Sequence, residues 1–558
     1  MNTTTRTITK RSKNESSNGT RTCFMMNRLL YMSFSILLVA ILLYYFKDSW
    51  ESNTKYQVLE ENLSRSLNIF HQNYLKIWHT FQTSAILVYR RLFPTRASIE
   101  HILQRLLEEE KNSLVQRDSK VAIGLGVCTD LVVEAVDVLK DFSTTIAKPH
   151  GSIESWQDFL ELFAYYFKHG AASERYINSK HVFKRLLDLI DQQADRRKKK
   201  AIGGNAALMS LRFSREGIQD ILLGAQMSPE LHKNFPKNIK ISGPIIENDD
   251  YHIMLEYKTN QKWNQFESPR ANRLIVHSDD NNVKLMARTN FFNQLADFRP
   301  NLLIITGIHM LDMSPIDFEI RSKAITDLSK DIENFAKSNP SARKHFEMGS
   351  YTENRLLDSV VNRIFPTIDS FGMNEQEVAN LLSFIKFGNI SYATNPFPRV
   401  AIVLDEMREL FQLIIANGND KISRLHVHTL AYQVVMVRID PKRDRPLWKS
   451  SKAAMAKASL TAYRHTCDTE TIDTNRAEIL LDDSFSTTTK EIPIGDDSSN
   501  RLRRIRLDDA VNCWEEILQN NPKIKVQICL SIGIVCTKVV QTGGAGDNIS
   551  AAGIILQF

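Results

Sequence analysis

Apolar and polar positions along this chain repeat with two different periods, and the change from one to the other predicts its layout. From about residue 120 onward, short apolar runs of strand length alternate with longer segments whose apolar positions recur at helical spacing. Predicted strands are Lys120–Val127, Leu302–Thr306, His345–Met348, Thr367–Ser370, Leu425–Ala431, Lys525–Leu530 and Gly533–Val540. Predicted helices are Leu131–Phe142, Trp156–His169 (closed by Gly170), Asn178–Arg197, Val283–Phe298, Ile316–Lys337, Glu353–Ile364, Glu375–Ile385 and Val400–Asn417. Such alternation builds an α/β fold, a mainly parallel, doubly wound sheet with helices on both faces. Strand-like runs at Asp220–Leu223, Ile239–Ile241, His252–Tyr257 and Arg273–His277 interrupt it, as a smaller β-rich lid does. Upstream, Thr54 to about Glu110 carries helix-period apolar positions and reads as a helical stalk. The Ser/Thr/Asp-rich stretch Asp482–Ser499 reads as an exposed insertion.

The N-terminus changes the picture. Leu29–Phe46 is uncharged and mostly apolar, roughly 27 Å long as a helix and enough to cross a bilayer. Arg6, Lys10, Arg11, Lys13, Arg21 and Arg28 precede it, whereas mixed charges follow. The positive-inside bias therefore predicts a cytosolic basic tail (residues 1–28), a transmembrane signal anchor (29–46) and a stalk (47–115). The remaining domain (116–558, with the lid in parts of about 130–280) is expected on the luminal side of the endoplasmic reticulum membrane. The rival reading is a cleaved signal peptide and a secreted product, but no small-residue cleavage site follows the apolar run. The 6 cysteines are too sparse for a disulfide scaffold and show no zinc spacing, so at most one or two bridges are expected. A net charge of +7 is spread along the chain and gives no nucleic-acid footprint; a monomer is expected. The run Arg196–Lys200 is read as a solvated helix end.

The chemistry concentrates near the C-terminus, in Gly543-Gly-Ala-Gly-Asp547-Asn-Ile-Ser550. A glycine turn between strand and helix aims backbone N–H groups at one point, where an anion is stabilised. Asp547 then stands in the first helical turn as a candidate general base or, alternatively, as a capping aspartate. No P-loop motif occurs. In open α/β sheets ligands collect beyond the C-terminal strand ends, and Asp130, Gly203–Asn205, Glu347 and Gly543–Asp547 all fall near such ends.

Together with Gly170-Ala-Ala-Ser-Glu174-Arg175, Ala271-Asn-Arg273, Gly307-Ile-His-Met310, His345-Phe-Glu347, Asn374-Glu-Gln-Glu377, Arg424-Leu-His-Val-His428-Thr and Thr469-Glu-Thr-Ile-Asp473, these motifs resemble one family. From about residue 120 to 558 the chain is similar to the ADP-dependent glucokinases, in the ADP-specific sugar kinase branch of the ribokinase-like superfamily. The resemblance implies a ribokinase-like fold and transfer of the terminal phosphoryl of ADP to the 6-hydroxyl of glucose, with Mg²⁺ as cofactor; the alternatives are a related sugar kinase using ATP or fructose 6-phosphate, or a non-catalytic membrane-tethered sugar or nucleotide sensor. It assigns Asp547 as base, with the amides of Gly544, Ala545 and Gly546 as the anion hole. Glu347, Glu377 and Asp547 would hold the metal, and His345 would orient Glu347 or merely pack. Asp130, Glu174, Gly204 and Asn205 would bind glucose, and Arg273 a phosphate. Six residues keep alternatives: Asp130 as the N-cap of Leu131–Phe142, Glu174 as a solvent-facing glutamate, Arg273 as a lid salt bridge, Glu347 as a strand-end surface residue, Glu377 as a helix-terminal charge, and His277 as either a sugar contact or a structural histidine. The adenine is expected near His426–Leu430 and the residues after Cys467. Asn62, Asn389 and Asn548 open glycosylation sequons; of these Asn548 is expected to be folded away and bare.

Overall fold

A computed structural model describes residues 99–194, 198–391, 399–440, 442, 446–480, 486–490, 504–518 and 524–558. The basic tail, the anchor Leu29–Phe46, Asn62 and most of the stalk lie outside them. Among the described residues no helix is long and apolar enough to cross a membrane.

Ten strands build the larger sheet: β1 (Lys120–Gly124), β5 (Asp220–Gly224), β6 (Ile239–Ser242), β11 (Leu302–Ile305), β12 (Arg343–Glu347), β13 (Ser370–Asn374), β14 (Arg424–His428), β15 (Tyr432–Arg438), β17 (Val511–Leu518) and β18 (Ile524–Ile532). Five build the smaller: β2 (Cys128–Glu134), β3 (Ser173–Tyr176), β4 (Lys198–Gly203), β7 (Tyr251–Tyr257) and β10 (Asn272–His277). Two short pairs, β8 (Lys262–Trp263) with β9 (Phe266–Glu267) and β16 (Ala477–Glu478) with β19 (Val535–Cys536), complete the set.

The larger sheet runs β17-β18-β15-β14-β13-β12-β11-β1-β5-β6. From β6 to β14 every pairing is parallel, and β15, β18 and β17 add an antiparallel edge. Its central strands are apolar on both faces because both are covered. In β1, Val121 and Ile123 enter one core and Ala122 the other; in β11, Leu302 and Ile304 part from Leu303 and Ile305 in the same way. The expected doubly wound α/β architecture is therefore present.

Several elements differ from expectation. Leu131–Phe142 is not one helix: its first third is β2, followed by the short helix Ala135–Val138. Leu131 and Val133 alternate into the lid core while Asp130 faces the opposite side, and pairing with both β4 and β7 overrides the helical pattern. Asp130 is therefore no N-cap. Lys198–Lys200 opens β4 at the edge of the lid sheet, rather than ending a helix, and 195–197 lie outside the described residues. β5 and β6 belong to the larger sheet, so the lid draws on segments from Cys128 to His277 around them. The predicted strand at Thr367–Ser370 is a 3₁₀ turn, Phe365–Thr367, and pairing starts at Ser370. Within the insertion, Thr487 and Thr488 are buried; Thr488 bonds Asp405, and Arg408 bonds the Thr487 carbonyl. Helix Ser451–Thr466 was not anticipated: it is buried almost all round, so its pattern has no polar face to mark a period.

The stalk boundary also moves. Thr95–Phe558 forms one compact unit. Within it, helix Ile99–Lys111 buries Ile102 and Leu106, and Glu110 accepts hydrogen bonds from Lys457 and Arg464 of helix Ser451–Thr466. Removing a buried leucine side chain leaves a cavity. Leu106→Ala is expected to lower the unfolding free energy of this unit by about 2–5 kcal/mol. Unchanged stability in a denaturant titration would place the helix outside the body.

Candidate active site

Near its end the chain leaves β19, passes Thr542 and Gly543, and enters helix Ala545–Ile554, with Gly544 as N-cap at φ 67°. That left-handed conformation suits glycine and folds the turn back on itself. Helix geometry leaves the N–H groups of Gly546 and Asp547 without intrahelical acceptors. Gly544, Gly546 and Asp547 line an open cavity of about 750 Å³. Ala545 serves differently from expectation: its N–H donates to the Thr542 carbonyl at 3.3 Å, and its side chain packs on Ala458, Ala462 and Ile549.

Beneath this helix the sheet turns polar. Alternation along β14 sends Leu425 and Val427 into an apolar core and Arg424, His426 and His428 toward the helix. Glu347, at the end of β12, accepts from His345 (2.9 Å) and Ser550 (2.5 Å) on one oxygen and from His428 (2.9 Å) on the other. Burial would raise its proton affinity, but the His345 and His428 bonds override this and hold it well below the usual carboxylate range. His345 therefore orients Glu347 as well as packing. Glu377 caps its own helix, its Oε2 accepting the Asn374 N–H at 2.9 Å, and also lines the cavity. Burial, with Glu347 nearby, pushes it up to about 7. Asp547 rises to about 7 for the same reasons, burial first and the Glu347 charge second.

The lid supplies the other wall. Along its strands, Leu131, Val133, Ile253, Leu255, Leu274 and Val276 enter the lid core. The alternate positions Asp130, His252, Met254, Glu174, Arg273 and Ile275 face the cavity. Asp130 pairs in register with His252, and Ile275 with Glu174. Glu174 accepts from His309 Nε2 at 2.9 Å and lies 3.1 Å from His252 Nδ1. Burial opposes its charge, yet these histidines hold it well below the usual range. The other nitrogen of His252 bonds Asp279 at 3.0 Å; burial opposes a charge on this ring, but the Asp279 carboxylate raises its pKa well above the ordinary value. Asp130 accepts from Cys128 at 3.3 Å and is pushed by burial up to about 6. Gly203 is required beside it, since a Cβ there would lie 1.9 Å from Asp130 Oδ1.

One cavity thus gathers Asp130, Glu174, Gly204, Asn205, Arg273, Glu347, Glu377, Gly544, Gly546 and Asp547, drawn from segments hundreds of residues apart. His277 does not line it. This residue stacks on His252 at 4.5 Å, with Nδ1 3.1 Å from Asp279 but out of line for a hydrogen bond. His252, His309 and His428 were missed as site residues; the last two lie inside quoted motifs, but nothing local marks a histidine as a carboxylate partner. His428, in the segment expected near adenine, bonds Glu347 instead, and His426 is buried against Gly553.

Residues 119–556 match the ADP-specific phosphofructokinase/glucokinase conserved region. The chain belongs to the ADP-specific phosphofructokinase/glucokinase family. It is an enzyme, a sugar kinase of that ADP-dependent family. It is 28% identical over 449 residues to an ADP-dependent glucokinase of Bos taurus, covering 79% of this chain and 84% of the relative. A probable ADP-dependent glucokinase of Caenorhabditis elegans is 26% identical over 456 residues, covering 78% and 84%. Among solved structures, an ADP-dependent kinase in complex with fructose 6-phosphate and ADPβS superposes with a TM-score of 0.56 at 16% identity, covering 82% of this chain and 96% of that one. That likeness extends the family's fold to this chain.

The family's kinase chemistry calls for a divalent cation, and the donor set fits one. Mg²⁺ takes oxygen ligands and keeps several waters. Glu377 and Asp547 are buried carboxylates short of positive charge, whereas both oxygens of Glu347 are already engaged. Among the described residues the trios whose donor atoms lie within 4.8 Å are Cys128–Asp130–His252 and His252–His277–Asp279. Glu347, Glu377 and Asp547 line the same cavity without meeting that spacing.

Asp547 takes up its proton more readily folded than unfolded. Its contribution to stability is therefore full below about pH 4 and is lost as pH rises through about 7. Nucleotide-free Asp547→Asn, which cannot ionise, is expected to melt above wild type at about pH 8, with the gap closing toward about pH 5. A gap constant across that range in chelator-treated protein would count against the buried charge.

Proposed function

We propose that this enzyme transfers the terminal phosphoryl group of ADP to the 6-hydroxyl of D-glucose, giving glucose 6-phosphate and AMP. The observation that carries the reading is the shared cavity of Asp547, the glycine turn and the carboxylates of the lid. Glucose is favoured over fructose 6-phosphate by charge. Apart from histidines, the cavity offers one cation, Arg273, and its sugar end presents Asp130 and Glu174. A second phosphate would meet those carboxylates, whereas neutral hydroxyls donate to them.

Asp547 accepts the 6-hydroxyl proton as the phosphoryl group arrives, and its affinity near neutrality suits a general base. Asp130, Glu174 and Asn205 orient the hydroxyls, and His309 ties Glu174 of the lid to the body. The amides of Gly544 and Gly546 and the Arg273 guanidinium receive the negative oxygens. Glu377 and Asp547, with Glu347 beside them, would hold Mg²⁺, which when bound would neutralise diphosphate charge. The closed lid keeps water from competing as acceptor.

We further propose a luminal domain on the endoplasmic reticulum membrane, anchored by Leu29–Phe46. Disulfides Cys467–Cys536 and Cys513–Cys529, with Cys128 free among the described cysteines, suit an oxidising compartment. In that compartment Asn389, exposed after helix Glu375–Phe387, is expected to carry a glycan. Asn548 is expected to stay bare, because it is buried, accepts from Arg212 at 2.8 Å and donates to the Gly544 carbonyl. Glycopeptide mass spectrometry reads both, and high occupancy at Asn548 in active enzyme would overturn the assignment.

Purified protein given Mg²⁺, ADP or ATP, and glucose or fructose 6-phosphate is expected to release AMP with ADP and glucose. Asp547→Asn should cut turnover by about a hundredfold or more while sugar binding persists, the scale for loss of a general base. Near-normal turnover would remove Asp547 from its role.

A further inference from the structure

Thr542, just before the glycine turn, is held by a residue that the chemistry above leaves unused. Glu256 projects from lid strand β7, and its Oε1 accepts both the Thr542 N–H (2.8 Å) and the Thr542 hydroxyl (2.7 Å). Two positions earlier on the same face, Met254 bears on Gly543, where a Cβ would lie 2.5 Å from the Met254 sulfur. The lid strand therefore presses directly on the entrance to the anion-binding turn. A carboxylate is an unfavourable neighbour for a diphosphate, so its placement needs a reason.

The register supplies one. Across the antiparallel β7–β10 ladder, Glu256 stands directly opposite Arg273. Side chains so placed are near enough to pair as ions. Here they do not: Arg273 has neither a side-chain hydrogen bond nor an ion pair among the described residues, and its Nε is buried without a partner. Glu256 has turned to Thr542 instead.

We propose that Glu256 is a closure-dependent positioning residue that exchanges partners between Arg273 and Thr542. With the lid raised, Glu256 pairs with Arg273 and withholds the guanidinium from the nucleotide. As the lid comes down, Glu256 passes to Thr542, fixes the turn that carries Gly544 and Gly546, and leaves Arg273 free for the diphosphate. Asp130 and Glu174 sit on the same lid face, so binding of the acceptor sugar drives the exchange. This inference rests on the kinase reading above for the identity of the anion and the acceptor.

The test compares wild type with Glu256→Ala, Glu256→Gln, Thr542→Val, Thr542→Ser and the double variant Glu256→Ala/Thr542→Val, each in the full chain with Mg²⁺. Loss of a charge-assisted hydrogen bond predicts a fall in kcat of about tenfold or more for Glu256→Ala and for Thr542→Val. The double variant should fall no more than about twofold below the worse single change, because both remove one interaction. Glu256→Gln and Thr542→Ser keep an acceptor and a donor, and should recover kcat to within about threefold of wild type. KM for glucose should move by less than about threefold in all of them. Glu256→Gln and Glu256→Ala also lose the competing charge, so sugar-free protein should bind ADP about threefold or more tightly than wild type. Wild-type kcat in Glu256→Ala, additive losses in the double variant, or unchanged sugar-free ADP affinity would each overturn the exchange. Equal losses in Glu256→Ala and Glu256→Gln with lowered melting points would do the same, by showing a merely structural role. Should wild type release no AMP from ADP and glucose, the substrate reading fails, and sugar-free ADP affinity alone still decides the exchange.

Discussion

Charge balance in a buried cleft is the constraint on which the rest of this molecule depends. Asp130, Glu174, Glu347, Glu377 and Asp547 share one cavity, and carboxylates withdrawn from water stay ionised only beside compensating groups. Histidines meet that need selectively. His252 and His309 hold Glu174, and His345 and His428 hold Glu347, so both remain charged. Among the described residues Asp130, Glu377 and Asp547 receive no histidine hydrogen bond, and burial lifts their proton affinities toward neutrality. Environments that push carboxylates apart in this way separate fixed electrostatic elements from proton-exchanging ones. These three carboxylates face the one cavity without a positively charged hydrogen-bond partner among the described residues.

Sheet geometry delivers these groups. Parallel strands end together, so Glu347 at the close of β12, the Asn374–Glu377 cap after β13 and His428 at the close of β14 arrive along one rim. The period of two along the lid strands does the complementary work, burying Leu131, Val133, Ile253 and Leu255 while presenting Asp130, His252 and Met254. A one-residue slip of β2 would send Asp130 into the lid core. Gly203 permits the close approach of β4 to that aspartate.

Lid and body meet through polar contacts rather than a dry interface. His309 reaches Glu174, Arg270 reaches Glu375 at 3.2 Å, and Glu256 reaches Thr542. Such contacts exchange readily with water. Helix Ala545–Ile554 is more firmly seated. Arg424 bonds the Gly553 carbonyl and Gln557, and Ser550 bonds Glu347, so Asp547 and the glycine turn rest on a hydrogen-bonded support.

Much of this was legible in the chain itself. Long helices such as Trp156–His169, with its Ser155 capping box and Gly170 stop, follow from local pattern. The glycine turn with Asp547, the His345–Glu347 and Asn374–Glu377 pairs and the parallel α/β class follow from motif and alternation. Tertiary structure decided the remainder. β2 became a strand because β4 and β7 were there to pair with it. His277 withdrew from the cavity in favour of His252, and Ala545 gave its amide to the turn. Sequence spacing determines which residues share a face, since a strand or helix fixes that within a few positions. Which faces meet, and which carboxylate obtains a histidine, depends on contacts between segments far apart in the chain, and only the folded structure sets those.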